Sequence, residues 1–147
     1  MRIDTGSVVK AGGIAAAVGL VLAVLGGIPF LNCLVLPLLC IGAFLLPIGA
    51  GVGYGYFAPG QEDLGQSALG GALAGGFGGL AYGLGAGVMG FITNAGAAAM
   101  LEDADIAVGA GGTALSFFMS LCIPIVTGFV LGALGGLIWP LVQGNRT

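Results

Sequence analysis

The residues that could do chemistry are few, and they are placed away from one another. Histidine is absent, and three Lys or Arg and six Asp or Glu are the only charges in 147 residues. The acids are Asp4, Glu62, Asp63, Glu102, Asp103 and Asp105, and the bases are Arg2, Lys10 and Arg146. Without His, no Ser/His/Asp or Cys/His constellation can be assembled, and no pair of carboxylates falls inside an apolar segment. Cys33, Cys40 and Cys122 are too widely spaced for a zinc site, and an odd count argues against a disulfide framework. A net charge of −3 with no basic patch argues against a nucleic-acid partner. The chain is therefore expected to be no enzyme, with no catalytic residue, no metal and no bound cofactor.

The polar groups left inside apolar sequence are hydroxyls, thiols and backbone. Tyr82 and Thr127 fall near the middle of two predicted helices. A hydrogen bond between them, or from either to a backbone carbonyl, would hold helices together by about 1 kcal/mol or less. Cys40 and Cys122, each in a Leu-Cys-Ile tripeptide, are expected as buried packing residues. Pro47 and Pro124 should each free a carbonyl four residues earlier, at Ala43 and Ser120, for a neighbouring helix to satisfy. Gly51-Val52-Gly53-Tyr54-Gly55 resembles four of the five positions of a potassium-channel filter, but Gly51 stands where the filter has Thr and no pore helix precedes it. An aromatic-anchored helix end is the expected reading. Gly49, Gly51, Gly53 and Gly55 also look similar to the glycine-rich helix of rotary-ATPase proteolipids, whose mid-membrane carboxylate this chain lacks.

The elements that position these residues follow from composition. Hydrophobic residues make up 58% of the chain and charged ones 6%, where a soluble domain carries about a quarter. The charges leave free stretches at 11–61, 64–101 and 106–145, each long enough for one or more spans of about 20 residues. Pro29 to Asn32 divides the first stretch, since Pro interrupts a helix and Asn caps one. The reading is all-α, a single polytopic membrane domain over 1–147. Helices are predicted at about 11–29, 33–57, 66–93 and 113–142, forming two antiparallel hairpins. The linker 94–112 holds the outer acidic loop, with Ala97 to Ala99 as a short interfacial helix. Arg2 and Lys10 ahead of an apolar segment could instead open a signal peptide, but no short apolar core ends in a small-residue cleavage site. Four spans put Arg2, Lys10 and Arg146 on one side, which the positive-inside rule assigns to the cytoplasm.

Small residues recur at every fourth position. Ser67, Gly71, Gly75, Gly79, Gly83 and Gly87 do so in the third helix, and Ser116, Ser120, Pro124, Gly128, Gly132 and Gly136 in the fourth. Ala11, Ala15, Gly19, Ala23 and Gly27 repeat the device in the first. Steps of four advance about 400° on a helix of 3.6 residues per turn, so each series forms a groove in which another helix can lie. Acyl chains are as apolar as Leu, and helices in lipid associate through the close van der Waals contact that small residues permit. Such glycine-zipper faces either close the chain's own bundle or dock onto a partner. Gly70, Gly76, Gly78, Gly85 and Gly90 lie off the main groove of the third helix and could contact neighbours on further sides.

Ile28-Pro29-Phe30-Leu31-Asn32-Cys33-Leu34, with the glycine-rich third helix, resembles an uncharacterised class of small prokaryotic four-helix membrane proteins. These place a Leu-Asn-Cys turn after the first helix and follow it with glycine-rich spans. The resemblance covers about residues 12–90 and implies a multi-pass protein of the prokaryotic cytoplasmic membrane with no assigned activity. The expected function is a non-catalytic membrane subunit that packs in the lipid bilayer against other membrane subunits or itself. The alternative is a small oligomeric channel or carrier for an uncharged or weakly polar solute.

Overall fold

The computed structural model describes residues 3–58, 63–100 and 106–144. Over these the chain is all-α: α1 (Thr5–Gly27), α2 (Pro29–Phe57), α3 (Leu64–Met100) and α4 (Ile106–Gly144). Each contains a stretch long and apolar enough to cross a membrane. At about 1.5 Å per residue even the 23 residues of α1 extend about 34 Å, against a hydrocarbon core of about 30 Å.

The helix ends differ from the sequence expectation for local reasons. α1 begins at Thr5, not near residue 11, because Asp4 caps it. Its Oδ1 accepts from the Gly6 N–H at 3.1 Å, and the Ser7 hydroxyl donates to Oδ2 at 2.6 Å. Lys10, expected ahead of the helix, therefore lies within it. The Ser7 hydrogen bond is the main reason the Asp4 carboxyl titrates below its ordinary value; desolvation opposes this, while the Gly6 and Ser7 amides and Lys10 add to it. α1 ends at Gly27 with Ile28 as its cap, and α2 starts directly after it, because Pro29 has no N–H to extend the first ladder yet suits the first turn of a new helix. Asn32, expected as a cap, consequently lies inside α2.

Asp63 starts α3: its Oδ1 accepts from Gly65 N–H and its carbonyl from Gln66 and Ser67 N–H, each at 3.1 Å. The expected linker 94–112 is helical as far as Met100 and again from Ile106. No proline or polar run interrupts Asn94 to Met100, so Ala97 to Ala99 continue α3 instead of forming a separate helix. Glu102, Asp103 and Asp105 lie outside the described residues, as do Arg2, Glu62 and Arg146. At 37 and 39 residues, α3 and α4 extend about 55 and 58 Å and outrun the hydrocarbon core.

Among the described residues every pair of helices touches except α1 with α4, so α2 and α3 form the short diagonal of a rhombus. Gly12 against Ala74 and Gly27 against Met89 make α1 and α3 parallel. Gly51 against Gly135 and Gly55 against Trp139 do the same for α2 and α4, while successive helices are antiparallel.

The radial distribution of size is the reverse of a soluble bundle. Fully buried hydrophobic side chains are mostly Ala (Ala11, Ala15, Ala23, Ala50, Ala58 and Ala74), joined by Val8 and Tyr54. Large apolar residues face outward on all four helices, for example Val21, Phe44, Phe77 and Val126 at 59%, 61%, 55% and 61% exposure. Water would penalise that arrangement by about 1.5–3 kcal/mol for each such side chain, whereas lipid does not.

Candidate functional site

The most extensive contact in the bundle is between α3 and α4, where the two series of small residues meet. Moving up α3 by four residues moves down α4 by four: Ser67 faces Gly136, Gly71 faces Gly132, Gly75 faces Gly128, Gly79 faces Pro124 and Gly83 faces Ser120. A Cβ at Gly71 would lie 2.8 Å from Gly136 Cα, and one at Gly75 would lie 2.8 Å from Gly132 Cα, closer than side-chain atoms approach. The glycine hydrogens in those directions point at facing carbonyls. Gly71 points to Gly132, Gly75 to Gly128 and Gly79 to Pro124, and Gly128, Gly132 and Gly136 point back to Gly75, Gly71 and Ser67. Such Cα–H···O contacts contribute about 0.5–1 kcal/mol each. Ser67 closes the row by donating its hydroxyl to the Gly136 carbonyl at 2.6 Å in a buried position. Higher up, a Cβ at Gly87 would lie 2.9 Å from the Phe117 ring.

Other sides of α3 take the remaining helices. A Cβ at Gly78 would lie 3.0 Å from Ala15 Cβ, one at Gly85 2.8 Å from Ala23 Cβ, and one at Gly19 of α1 3.3 Å from the Gly78 carbonyl and Tyr82 Cβ. A Cβ at Gly76 would lie 2.8 Å from the Phe129 ring of α4, and Gly70 lies beneath the ring of Tyr54, which has no exposed surface. Gly90 alone among the off-groove positions has open space around it. Within the chain, then, the series on α3 and α4 meet each other, and the series on α1 meets other positions of α3 such as Gly78 and Gly85.

Gly51 to Gly55 is ordinary helix inside α2, with Gly51 against the backbone of Gly132 to Gly136 and Gly55 against Trp139. The Tyr56 ring stands edge-on to Trp139 at 5.7 Å, a belt at the end that carries both described termini. Tyr54 departs from the expected interfacial belt by turning inward, because the missing side chain at Gly70 leaves room for its ring.

Half-way along the bundle, α2 and α4 part around a cavity of about 220 Å³. Its floor is Gly78 and Gly79 of α3, its walls include Phe44, Leu46 and Ile123, and Pro47 and Pro124 both border it. Tyr82 and Thr127 lie on this cavity, but no hydrogen bond joins them. The Thr127 hydroxyl donates within its own helix, 2.8 Å from the Ile123 carbonyl and 3.2 Å from that of Pro124. The two proline-freed carbonyls have separate surroundings: a Cβ at Gly83 would be 2.8 Å from Ser120 O, whereas Ala43 borders the cavity. Cys40 and Cys122, expected as buried, are exposed, because the close-packed interior admits Gly and Ala in preference to a thiol.

No protein-family profile, no curated protein and no solved structure matches the chain. Its site must be argued from its own geometry. Sequence reasoning missed the cavity and the Ser67–Gly136 bond, both of which depend on which helix lies beside which. It also missed the Ser7 hydroxyl, which sits 2.8 Å from the Phe57 carbonyl and ties α1 to α2. Ser7 next to the Asp4 cap was the one local signal available.

Proposed function

We propose that the chain is a non-catalytic multi-pass subunit of a prokaryotic cytoplasmic membrane, with both termini cytoplasmic, that joins other membrane subunits or further copies of itself. The observation that carries this reading is a face on α1 and α2 where small residues remain unfilled. Gly49 has no heavy atom within 4 Å of a Cβ position, unlike nearly all glycines elsewhere in the bundle. Ala11, Ala15, Gly49, Ala50 and Gly53 floor a shallow groove there, between Ile14, Leu46 and Phe57. A glycine inside a helix forgoes about 1 kcal/mol relative to Ala, and close approach of another helix is the usual compensation in lipid. The groove is open outward, so a neighbouring helix can enter it without repacking the bundle. Glycine-zipper contacts between α3 and α4 then serve to make a thin, rigid scaffold, and the α1–α2 face serves association.

The test is purification in mild detergent, with the mass of the particle and the identity of co-purifying chains determined. Gly49→Leu should leave the monomer folded, since its side chain meets open space, and should shift the particle toward the monomer mass. A wild-type particle already at monomer mass with no bound subunit would refute the assignment, as would association unchanged by Gly49→Leu.

A further inference from the structure

We infer that the mid-bundle cavity between α2 and α4 is a binding site for an uncharged, lipid-soluble alcohol or phenol that enters from the bilayer. Among its lining residues Tyr82 is the sole titratable one, so a charged ligand would have no counter-charge in hydrocarbon. Leu22, Phe44, Leu46 and Ile123 supply an apolar wall, and Gly78 and Gly79 leave the floor without side chains. Phe44, Ile123 and Thr127 are exposed on the outer surface, so the mouth faces lipid and an attached chain can remain in the bilayer.

The polar groups at this site favour a donor on the ligand. Pro47 lies within α2 and has no N–H, so the Ala43 carbonyl lacks its helical donor. The proton of Thr127 is committed to the Ile123 and Pro124 carbonyls, which leaves its oxygen able to accept. Tyr82 can accept or donate. A hydroxyl group satisfies this set, and a pure hydrocarbon does not. A cavity of about 220 Å³ exceeds the roughly 150 Å³ engineered cavity that holds benzene, so it accommodates one substituted ring or a short stretch of chain with its hydroxyl.

The full chain in phosphatidylcholine nanodiscs would be irradiated with a photoreactive, alkyne-bearing alkylphenol, and in parallel with its methyl ether, which cannot donate. Labelled residues would be located by peptide mass spectrometry. The expected result is labelling confined to 42–47, 78–82 and 122–127, about five- to tenfold weaker for the ether, the size of one lost hydrogen bond. Ala43→Leu fills the cavity from its exposed rim and should abolish the label. Pro47→Ala restores the missing N–H and should weaken the label while leaving the fold intact. Equal labelling by phenol and ether, labels spread round the bundle perimeter, or insensitivity to Ala43→Leu would each overturn the assignment. Particle mass plays no part in these readouts, so the site stands or falls separately from subunit association.

Discussion

Gly75→Ala and Gly90→Ala make the same chemical change in the same helix, and the structure assigns them opposite outcomes. At Gly75 the new methyl would meet the Gly128 carbonyl and sit 2.8 Å from Gly132 Cα, whereas at Gly90 it would meet nothing within 4 Å. Ordinary contact begins near 3.4 Å, so α3 and α4 must part by about 0.6 Å or more at Gly75. A radial gap of about 0.5–1 Å forfeits a quarter to a half of each dispersion well it opens, and overpacking of this kind costs about 1–3 kcal/mol. The gain in helix propensity, at most about 1 kcal/mol, is common to both variants and cancels in their difference. Gly75→Ala should therefore be less stable than Gly90→Ala by about 1–3 kcal/mol. The assay is equilibrium unfolding by dodecyl sulfate from a mild detergent, followed by the fluorescence of Trp139, which packs on Gly55 and Tyr56 and reports separation of α2 from α4. A difference below about 0.5 kcal/mol, within the usual error of comparing two variants, would refute backbone proximity as the source of the α3–α4 association.

Two further predictions concern hydroxyl groups. Ser67→Ala removes the buried bond to the Gly136 carbonyl and should lower stability by about 0.6–1.7 kcal/mol in the same titration, with no change indicating that the bond is inconsequential. At α1, the Asp4 carboxyl is held below its ordinary value in the folded chain, so its contribution is complete above the ordinary carboxylate range. It is lost as pH falls through the lowered value. Hydrogen-exchange protection of the Gly6 and Ser7 amides, corrected for intrinsic rates, should fall on acidification in the wild type and stay level in Asp4→Asn. Protection that rises in acid would show the sign to be wrong.

The four helices are legible because each depends on local composition: long charge-free runs, too apolar for water, whose backbone groups can be satisfied within a single segment in lipid only by helix. Helix ends were less legible. Pro29 governs the α1–α2 break through its missing N–H, yet Asn32 offers an equally good local signal for a later start. Similarly, nothing in Asn94 to Met100 states whether an Ala- and Gly-rich stretch continues a helix or leaves it.

The series at every fourth residue can also be read directly, since its spacing is a property of each helix alone. Which series meets which cannot, because that is a relation between helices brought together by the hairpins. Only the tertiary structure decides that Gly71 to Gly83 are taken up by Ser120 to Gly132, that Gly70 makes room for Tyr54, and that Gly13 and Gly49 are left open. The same holds for the cavity: Pro47, Tyr82 and Thr127 lie on three helices, and their meeting depends on where α2 and α4 diverge. Composition selects the solvent and the secondary structure, because both respond to single residues and short runs. Packing selects the partners of each small residue, because close approach of two backbones exists only once the chain has folded.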